Sequence, residues 1–512
     1  KDGYINPCLD VINDNIPKIS NIDDVDSYKP TPFYPTNPYD PNANICYIPL
    51  KKDNNGTLQM FTEENEVFTD NTIVEFSYDL SKEGGWRWIP LKVRWDKTAE
   101  LKNGGRNYGN SYNVANSNWQ TIHNPITEDM ISTGGNIDSD TSDIYYTKMY
   151  GQSNTKALRD FHNLYIKMML IKGVSQSGFT LIDLAVGKGG DFSKWIDANL
   201  SFIFGIDLSK DNIENRIDGA CARYLNYKKK FKNVPDVLFV NGNSGLNIKS
   251  GEAILSEKEK TITKAVFGMG ERSERVLGKG VLKSYGRGKD GFDVCSCQFA
   301  LHYFFENMVV LSNFIQNVAD STKIGGHFIG TCYDGLSIFN ELKSSSLGQG
   351  TSLFKNEVKI WEIIKKYEYA EFKDDESSLG YAIDVFQETI GKSFIEYLVN
   401  FEFFKNIMEK YGFVLISKEE ANDMNLPNSN GLFSDLHSHM ENQILSDRQL
   451  KKNIGESTNM SSEERKISFY NRYFIFKKER NVGKIKLDKV SSNKMIIKPK
   501  NIKKLSKRII IK

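Results

Sequence analysis

The sequence predicts an α/β protein with a mixed, mostly parallel seven-stranded sheet, preceded by a small β-barrel. Three observations predict it. From Thr180 onward, short apolar runs alternate with polar or helical stretches: Thr180 to Leu184, Phe202 to Ile206, Val237 to Val240, Phe292 to Cys297 and His327 to Cys332. This is the pattern of parallel strands joined by crossover helices. Two later β-type runs, Phe413 to Ile416 and Tyr473 to Phe476, come close enough to the end to form an antiparallel edge pair. Upstream, residues 72–79 alternate apolar and polar side chains, Gly84-Gly85 makes a turn, and Trp86 to Arg94 resumes β-type residues. Two antiparallel barrel strands fit that order.

In chain order, residues 1–44 are rich in Pro, Asn and Asp and read as a turn-rich lead-in. Residues 45–131 hold the barrel, with composition loosening from Asn110 to Met130, and 132–150 have linker character. Residues 151–480 form the α/β domain, opened by Leu158 to Ile171 with apolar residues at helical spacing. The Gly-rich stretch from Gly268 to Gly291, with Arg272, Arg275, Lys279, Lys283, Arg287 and Lys289, reads as a solvated insertion. Residues 481–512 are a basic tail, expected to be mobile.

At 512 residues the chain exceeds one ordinary core and predicts two or three domains. Its first residue is Lys1 and no signal segment follows, so the expectation is a fragment of a longer polypeptide. No apolar run approaches the roughly 20 residues that cross a bilayer, which predicts a soluble protein. With 67 basic and 65 acidic residues the net charge is +2, so a polyanion would have to be met by a local patch. Cys8, Cys46, Cys221, Cys295, Cys297 and Cys332 form no CxxC pair, which points away from a zinc site or a disulfide scaffold and toward reduced thiols. No metal is expected.

Thr180 to Asp191 reads as a strand entering the glycine-rich turn Gly187-Lys188-Gly189-Gly190, followed by a helix near Phe192. Glycines let the backbone approach a ligand, and the helix start offers free N–H groups. A tight turn with no ligand is the competing reading. The spacing does not match the GxGxxG of dinucleotide folds. Asp207 ends the next strand about 20 residues on, where a carboxylate can meet ribose hydroxyls. Loop and acid together favour S-adenosylmethionine, which carries no phosphate.

Three separated segments then resemble the messenger RNA cap guanine-N7 methyltransferases, in the family's order: Leu158 to Ile171, Asp183 to Asp191, and Cys297-Gln298-Phe299-Ala300-Leu301-His302-Tyr303. Phe394 to Val399 and Ser468 to Phe476 match as well. The resemblance implies a class I, Rossmann-like S-adenosylmethionine methyltransferase. Upstream, Ile73-Val74-Glu75-Phe76 and Trp88 to Lys97 are similar to the OB-fold end of capping guanylyltransferases, with a W…R-x-D-K motif. The nucleophile motif K-x-D-G does not occur, Lys1-Asp2-Gly3 and Lys289-Asp290-Gly291 having the wrong spacing, so no guanylyltransferase activity is expected from this chain alone. The combination resembles the multifunctional capping enzymes of large cytoplasmic DNA viruses. It implies action in the cytoplasm (viral factory or virion), capped RNA as substrate, upstream guanylyltransferase and triphosphatase domains in the same polypeptide, and a stimulatory subunit as a candidate partner.

Carried over residue by residue, the resemblance assigns Lys167 to the donor carboxylate. Asp183, Ala185 and Gly187 fall to the methionine part, Asp207 to the ribose, Asn243 to the adenine, and Gln298 with Tyr303 to the methionine end. Ala185 replaces the family's first loop glycine, and Asn243 stands where the family has Asp. Asn163, His302, Glu396 and, with a one-residue shift, Tyr470 fall on guanine-contacting positions; Lys188 and Arg223 fall near the triphosphate. No acid or base is needed, because the guanine N7 lone pair is free at neutral pH. Asn163, His302, Tyr303 and Glu396 are then positioning residues.

Taken singly, His302 reads as a core-edge histidine, Lys167 as a solvated helix residue and Glu396 as a surface carboxylate. Trp86, Trp88 and Trp95 read as barrel core ahead of base-stacking platforms. The basic 268–291 stretch has a weaker reading as an RNA contact. A non-catalytic cap-binding or scaffold subunit is the alternative function, opposed by the retained Lys167, Asp183 and Asp207. A small-molecule methyltransferase would leave the barrel unexplained.

Overall fold

In a computed structural model, residues 6–15, 32–35, 38, 40, 42–53, 55–105, 108–110, 112–123, 125, 154–388 and 390–483 are described. The predicted linker 132–150 and the tail beyond 483 lie outside them. The chain forms strands β1 (Leu50–Lys52), β2 (Leu58–Phe61), β3 (Val67–Phe68), β4 (Val74–Tyr78) and β5 (Trp88–Val93), then β6 (Thr180–Asp183), β7 (Phe202–Asp207), β8 (Asp236–Asn241) and β9 (Phe292–Gln298). There follow β10 (Thr322–Tyr333), β11 (Gly350–Lys355), β12 (Val358–Lys365), β13 (Ala382–Gln387), β14 (Ser393–Tyr397), β15 (Phe413–Leu415), β16 (Asn430–Leu432) and β17 (Asn471–Lys478).

Strands apolar on both faces must lie inside a sheet covered on both sides. The main sheet runs β15-β17-β10-β9-β6-β7-β8. Strands β10, β9, β6, β7 and β8 are parallel neighbours, and β17 lies antiparallel between β10 and β15. These seven strands are the predicted ones. A short eighth, β16, also pairs with β17; three residues are too few to show a period. Every residue of β7 and β9 is buried, and Phe292 stacks on Phe202 and Phe204. In β10, a Cβ on Gly330 would meet the Phe474 ring at 2.4 Å and the Cys297 carbonyl oxygen at 2.6 Å. Only glycine lets β9 and β17 close on it there.

The strand order reverses between β6 and β9, and in open α/β sheets ligands bind beyond the carboxyl ends at such a reversal. Above it lies a feature the sequence reading missed, the antiparallel sheet β11-β12-β13-β14. Its strand β14 packs against the 3-10 turn Leu301–Phe305 that follows β9.

Four expectations are corrected. Residues 7–13, inside the lead-in, form a helix N-capped by Asn6, and Val11 joins the α/β core. Residues 112–123, read as loose, are a helix whose Trp119 is buried against Tyr78 and Trp88. The described residues of the upstream unit form a three-stranded sheet, β1-β2-β3, and the predicted ribbon β4-β5, joined by Glu63 and Glu64 N–H donation to the Pro90 and Leu91 carbonyls. No closed barrel is seen among them, and Trp86 and Trp95 are 50% and 57% exposed, with only Trp88 in the aromatic cluster. The stretch 268–291 is docked: Leu277 and Val281 are buried, and Lys283 pairs with Asp236, the first residue of β8. That places it at the amino ends of the strands, opposite the crevice, with Arg272, Arg275, Lys279, Lys283 and Lys289 exposed.

Candidate active site

The residues expected at the donor site sit where the strands end. Asp183, Asp207 and Gln298 close β6, β7 and β9. After β6 the chain turns through Gly187 and Gly189 at φ 54 and 67, left-handed values that favour glycine. Asp207 fixes this loop by accepting from the Gly187 N–H at 2.7 Å; its other oxygen takes the Ser209 N–H and the Asn212 amide. Burial still pushes its pKa up. Asp183 accepts from the Ala185 N–H at 3.1 Å. Burial, with the neighbouring Asp191 and Asp207 charges, pushes its carboxyl up to about 7.

Lys167 points into this carboxylate cluster, 3.4 Å from Asp191, which also pairs with Lys194 at 3.1 Å. Burial alone would raise Asp191; the two ammonium groups outweigh it and hold it below the ordinary carboxylate range. A cation beside the glycine loop thus exists as expected, already matched by an acid that the sequence reading did not single out. Gln298 is buried, its amide donating to Ser296 and its carbonyl accepting from the Thr331 hydroxyl at 3.1 Å. The residues fit a bound S-adenosylmethionine: the loop gives backbone approach, Lys167 a charge for a carboxylate, and Asp207 an acceptor at the next strand end.

Four residues expected at the site are engaged with other partners. Lys188 lies between Asp211 at 3.2 Å and Asp218 at 2.9 Å, its charge already balanced, and Arg223 donates to the Lys188 carbonyl. Asn243 is exposed, its side-chain oxygen accepting from the Gly245 N–H. Asn163 turns its amide back to the Arg159 carbonyl.

The guanine-side residues do converge. His302 opens onto β14, where Glu396 lies 3.5 Å from its Nε2. Burial lowers the imidazole to about 3 and raises the carboxyl to about 8, so at neutral pH this is a contact of two uncharged groups. Among the described residues, both His302 ring nitrogens and Glu396 Oε2 are buried with no hydrogen-bond partner. Unpaired buried polar atoms are costly, and three at one spot mark a place for a polar ligand. Tyr303 packs edge-on against His302 at 4.2 Å. Tyr470 stacks on Trp361 at 5.5 Å and 15°, and Trp361 and Gln387 both donate to the Tyr333 hydroxyl. Tyr333, Trp361 and Gln387 were not anticipated; Trp361 sits in an alternating run that could have announced β12.

A family model described as mRNA (guanine-N(7))-methyltransferase domain matches residues 141–479. The chain is 30% identical over 485 residues to the "Probable mRNA-capping enzyme" of Acanthamoeba polyphaga mimivirus, covering 85% of this chain and 39% of that protein. It is 27% identical to "mRNA cap guanine-N(7) methyltransferase 1" of Arabidopsis thaliana, covering 51% of this chain and 60% of that one. For the "mRNA cap guanine-N(7) methyltransferase" of Saccharomyces cerevisiae the identity is 29%, with 52% of each covered. The chain therefore spans less than two thirds of the length of each of these curated relatives. With the family model matched over most of its length, this chain belongs to the mRNA (guanine-N(7))-methyltransferase family.

Proposed function

We propose that this chain methylates N7 of the guanine that caps RNA, with S-adenosylmethionine as donor. The observation that carries the reading is the buried His302 and Glu396 pair, with three polar atoms lacking partners among the described residues, His302 standing four residues beyond donor-side Gln298 and Glu396 reaching it from β14. When bound, the donor supplies an electrophilic sulfonium methyl. Lys167 would hold its carboxylate, the Asp183 to Gly187 loop its methionine part, and Asp207 its ribose.

Guanine N7 needs no base, so the side chains act by placement and field. Glu396, uncharged at neutral pH and ionising toward about pH 8, accepts as a carboxylate from the guanine N1–H and amino group, and its negative charge then stabilises the positive charge that N7 methylation places on the ring. His302, kept neutral by burial, offers hydrogen-bonding atoms without adding a repelling cation. Tyr470 on Trp361 gives the base a flat aromatic neighbour.

The same reading makes residues 45–131 the OB-fold end of a guanylyltransferase half within a larger capping enzyme. Two facts support it: Arg94 and Asp96 of the R-x-D-K segment pair at 3.1 Å, and the mimivirus relative extends well beyond the matched region. Incubation with methyl-labelled S-adenosylmethionine and either capped or uncapped triphosphate RNA tests the function. Label should enter capped RNA alone; equal label on both RNAs contradicts the reading.

A further inference from the structure

The helix that opens the α/β domain changes its winding partway. Lys156–Asp160 is α-helical, Phe161–Ile166 is a π-helix, and Lys167–Val174 is α-helical again. Where the π segment ends, the Lys167 N–H donates to the His162 carbonyl, five residues back. An α-helix sets residues five apart about 140° round its axis. A π turn, closed by i→i+5 bonds, brings them to one face. Both side chains consequently reach one ring: the His162 imidazole stacks on Phe299 at 5.2 Å and 17°, and the Lys167 ammonium lies 5.5 Å from the same ring's centroid.

Phe299 has reason to be held. Its φ of 55 is left-handed, a conformation that bulky side chains rarely adopt. It is the hinge between Gln298, the last residue of β9, and the turn carrying His302 and Tyr303. Its N–H donates to the Thr331 carbonyl and hydroxyl oxygens at 2.9 and 3.0 Å, and Phe433 meets its ring edge-on. His162 is fixed in turn: buried, 2.8 Å from the Ser468 hydroxyl, and edge-on to Phe433.

We infer that the π turn and His162 form a positioning device that clamps the left-handed hinge at Phe299 and thereby sets the offset between donor-side Gln298 and guanine-side His302. The inference rests on the methyl-transfer reading above. His162 acts through Phe299, so its loss should disturb the reacting geometry more than the occupancy of either site.

The test compares His162→Ala, His162→Gln, His162→Phe and a deletion of Leu164 that returns the turn to α spacing. Each is assayed for kcat and KM on capped RNA and for S-adenosylhomocysteine affinity by calorimetry. His162→Ala should lose roughly tenfold or more in kcat while ligand affinity stays within about threefold, since a small misplacement of reacting groups costs rate; the deletion, which also turns Lys167 away from the donor site, should lose kcat and S-adenosylhomocysteine affinity together. His162→Phe, which keeps a ring on Phe299 but not the Ser468 bond, should restore kcat to within about threefold of wild type. Unchanged kcat in His162→Ala overturns the inference, as does a loss confined to ligand affinity. Should the alanine variant or the deletion fail to fold, His162→Phe exceeding His162→Gln in kcat is expected, and equal rates overturn the clamp. A wild-type protein that labels no capped RNA removes the functional reading and this inference with it; an active wild type with indifferent variants removes the inference alone.

Discussion

Beside Asp183 at the donor site, Glu396 is one side chain through which pH should act on this protein. Burial raises its carboxyl from 4.5 to about 8, so across that window the folded chain holds a proton that the unfolded chain has released. Its contribution to stability is fully present below the lower value and is lost as pH rises through the upper one. Glu396→Gln should remove that slope, leaving the variant more heat-stable than wild type above about pH 8 in thermal melts. Catalysis should show the opposite trend: kcat/KM for capped RNA should climb with pH toward about 8 as the carboxylate forms. Glu396→Gln should flatten that limb and lower its plateau by about 10- to 100-fold, the worth of a hydrogen bond to a charged group. Lys167→Met should instead weaken S-adenosylhomocysteine binding by about 10-fold or more in calorimetry, leaving the cap side intact. Lys167, Asp183, Asp207, His302 and Glu396 could be picked out only because they occur together in motif order; taken singly, Lys167, His302 and Glu396 have blander readings. Asp191 and the Thr331 clamp were not, since each acquires its role only through contacts between distant segments.

Among the elements, the buried strands of the main sheet were readable because continuous apolar runs bounded by turns leave little else for the chain to form. The sheet β11 to β14 was not read, although β12 alternates, because its roofing partner lies far away in sequence. The π turn is invisible to periodicity, being a local slip in an otherwise helical pattern. Two elements carry predictions. Gly330→Ala should destabilise the protein by about 2 kcal/mol or more in chemical denaturation, because the added methyl meets the Phe474 ring and a backbone carbonyl. Ser461 caps the helix Ser462–Phe469 through a capping box with Glu464, and Glu464 also takes the Leu158 N–H and the Lys355 ammonium. Ser461→Ala should cost about 1 kcal/mol in the same measurement.

For the whole molecule, the ends of the described chain are tied to its centre. The helix 7–13 seats Val11 in the α/β core, Cys8 Sγ donates to the Ile213 carbonyl, and the Val11 carbonyl approaches Gly280 so closely that a Cβ there would lie 2.3 Å away. Removing residues 1–44 should therefore lower the melting temperature of the α/β domain, by an amount corresponding to about 2 kcal/mol for the lost burial of Val11 and its neighbours. Composition concealed this, since a stretch rich in Pro and Asn reads as a connector until its few apolar residues find a seat. The central claim is that donor loop, hinge and the His302 and Glu396 pair together place a methyl group on guanine N7. It is tested most directly by digesting methylated, capped RNA to the cap dinucleotide and locating the methyl by mass spectrometry and NMR. The methyl is predicted on N7 of the terminal guanine; its appearance on a ribose hydroxyl, on another ring position or on an internal nucleotide would contradict the account.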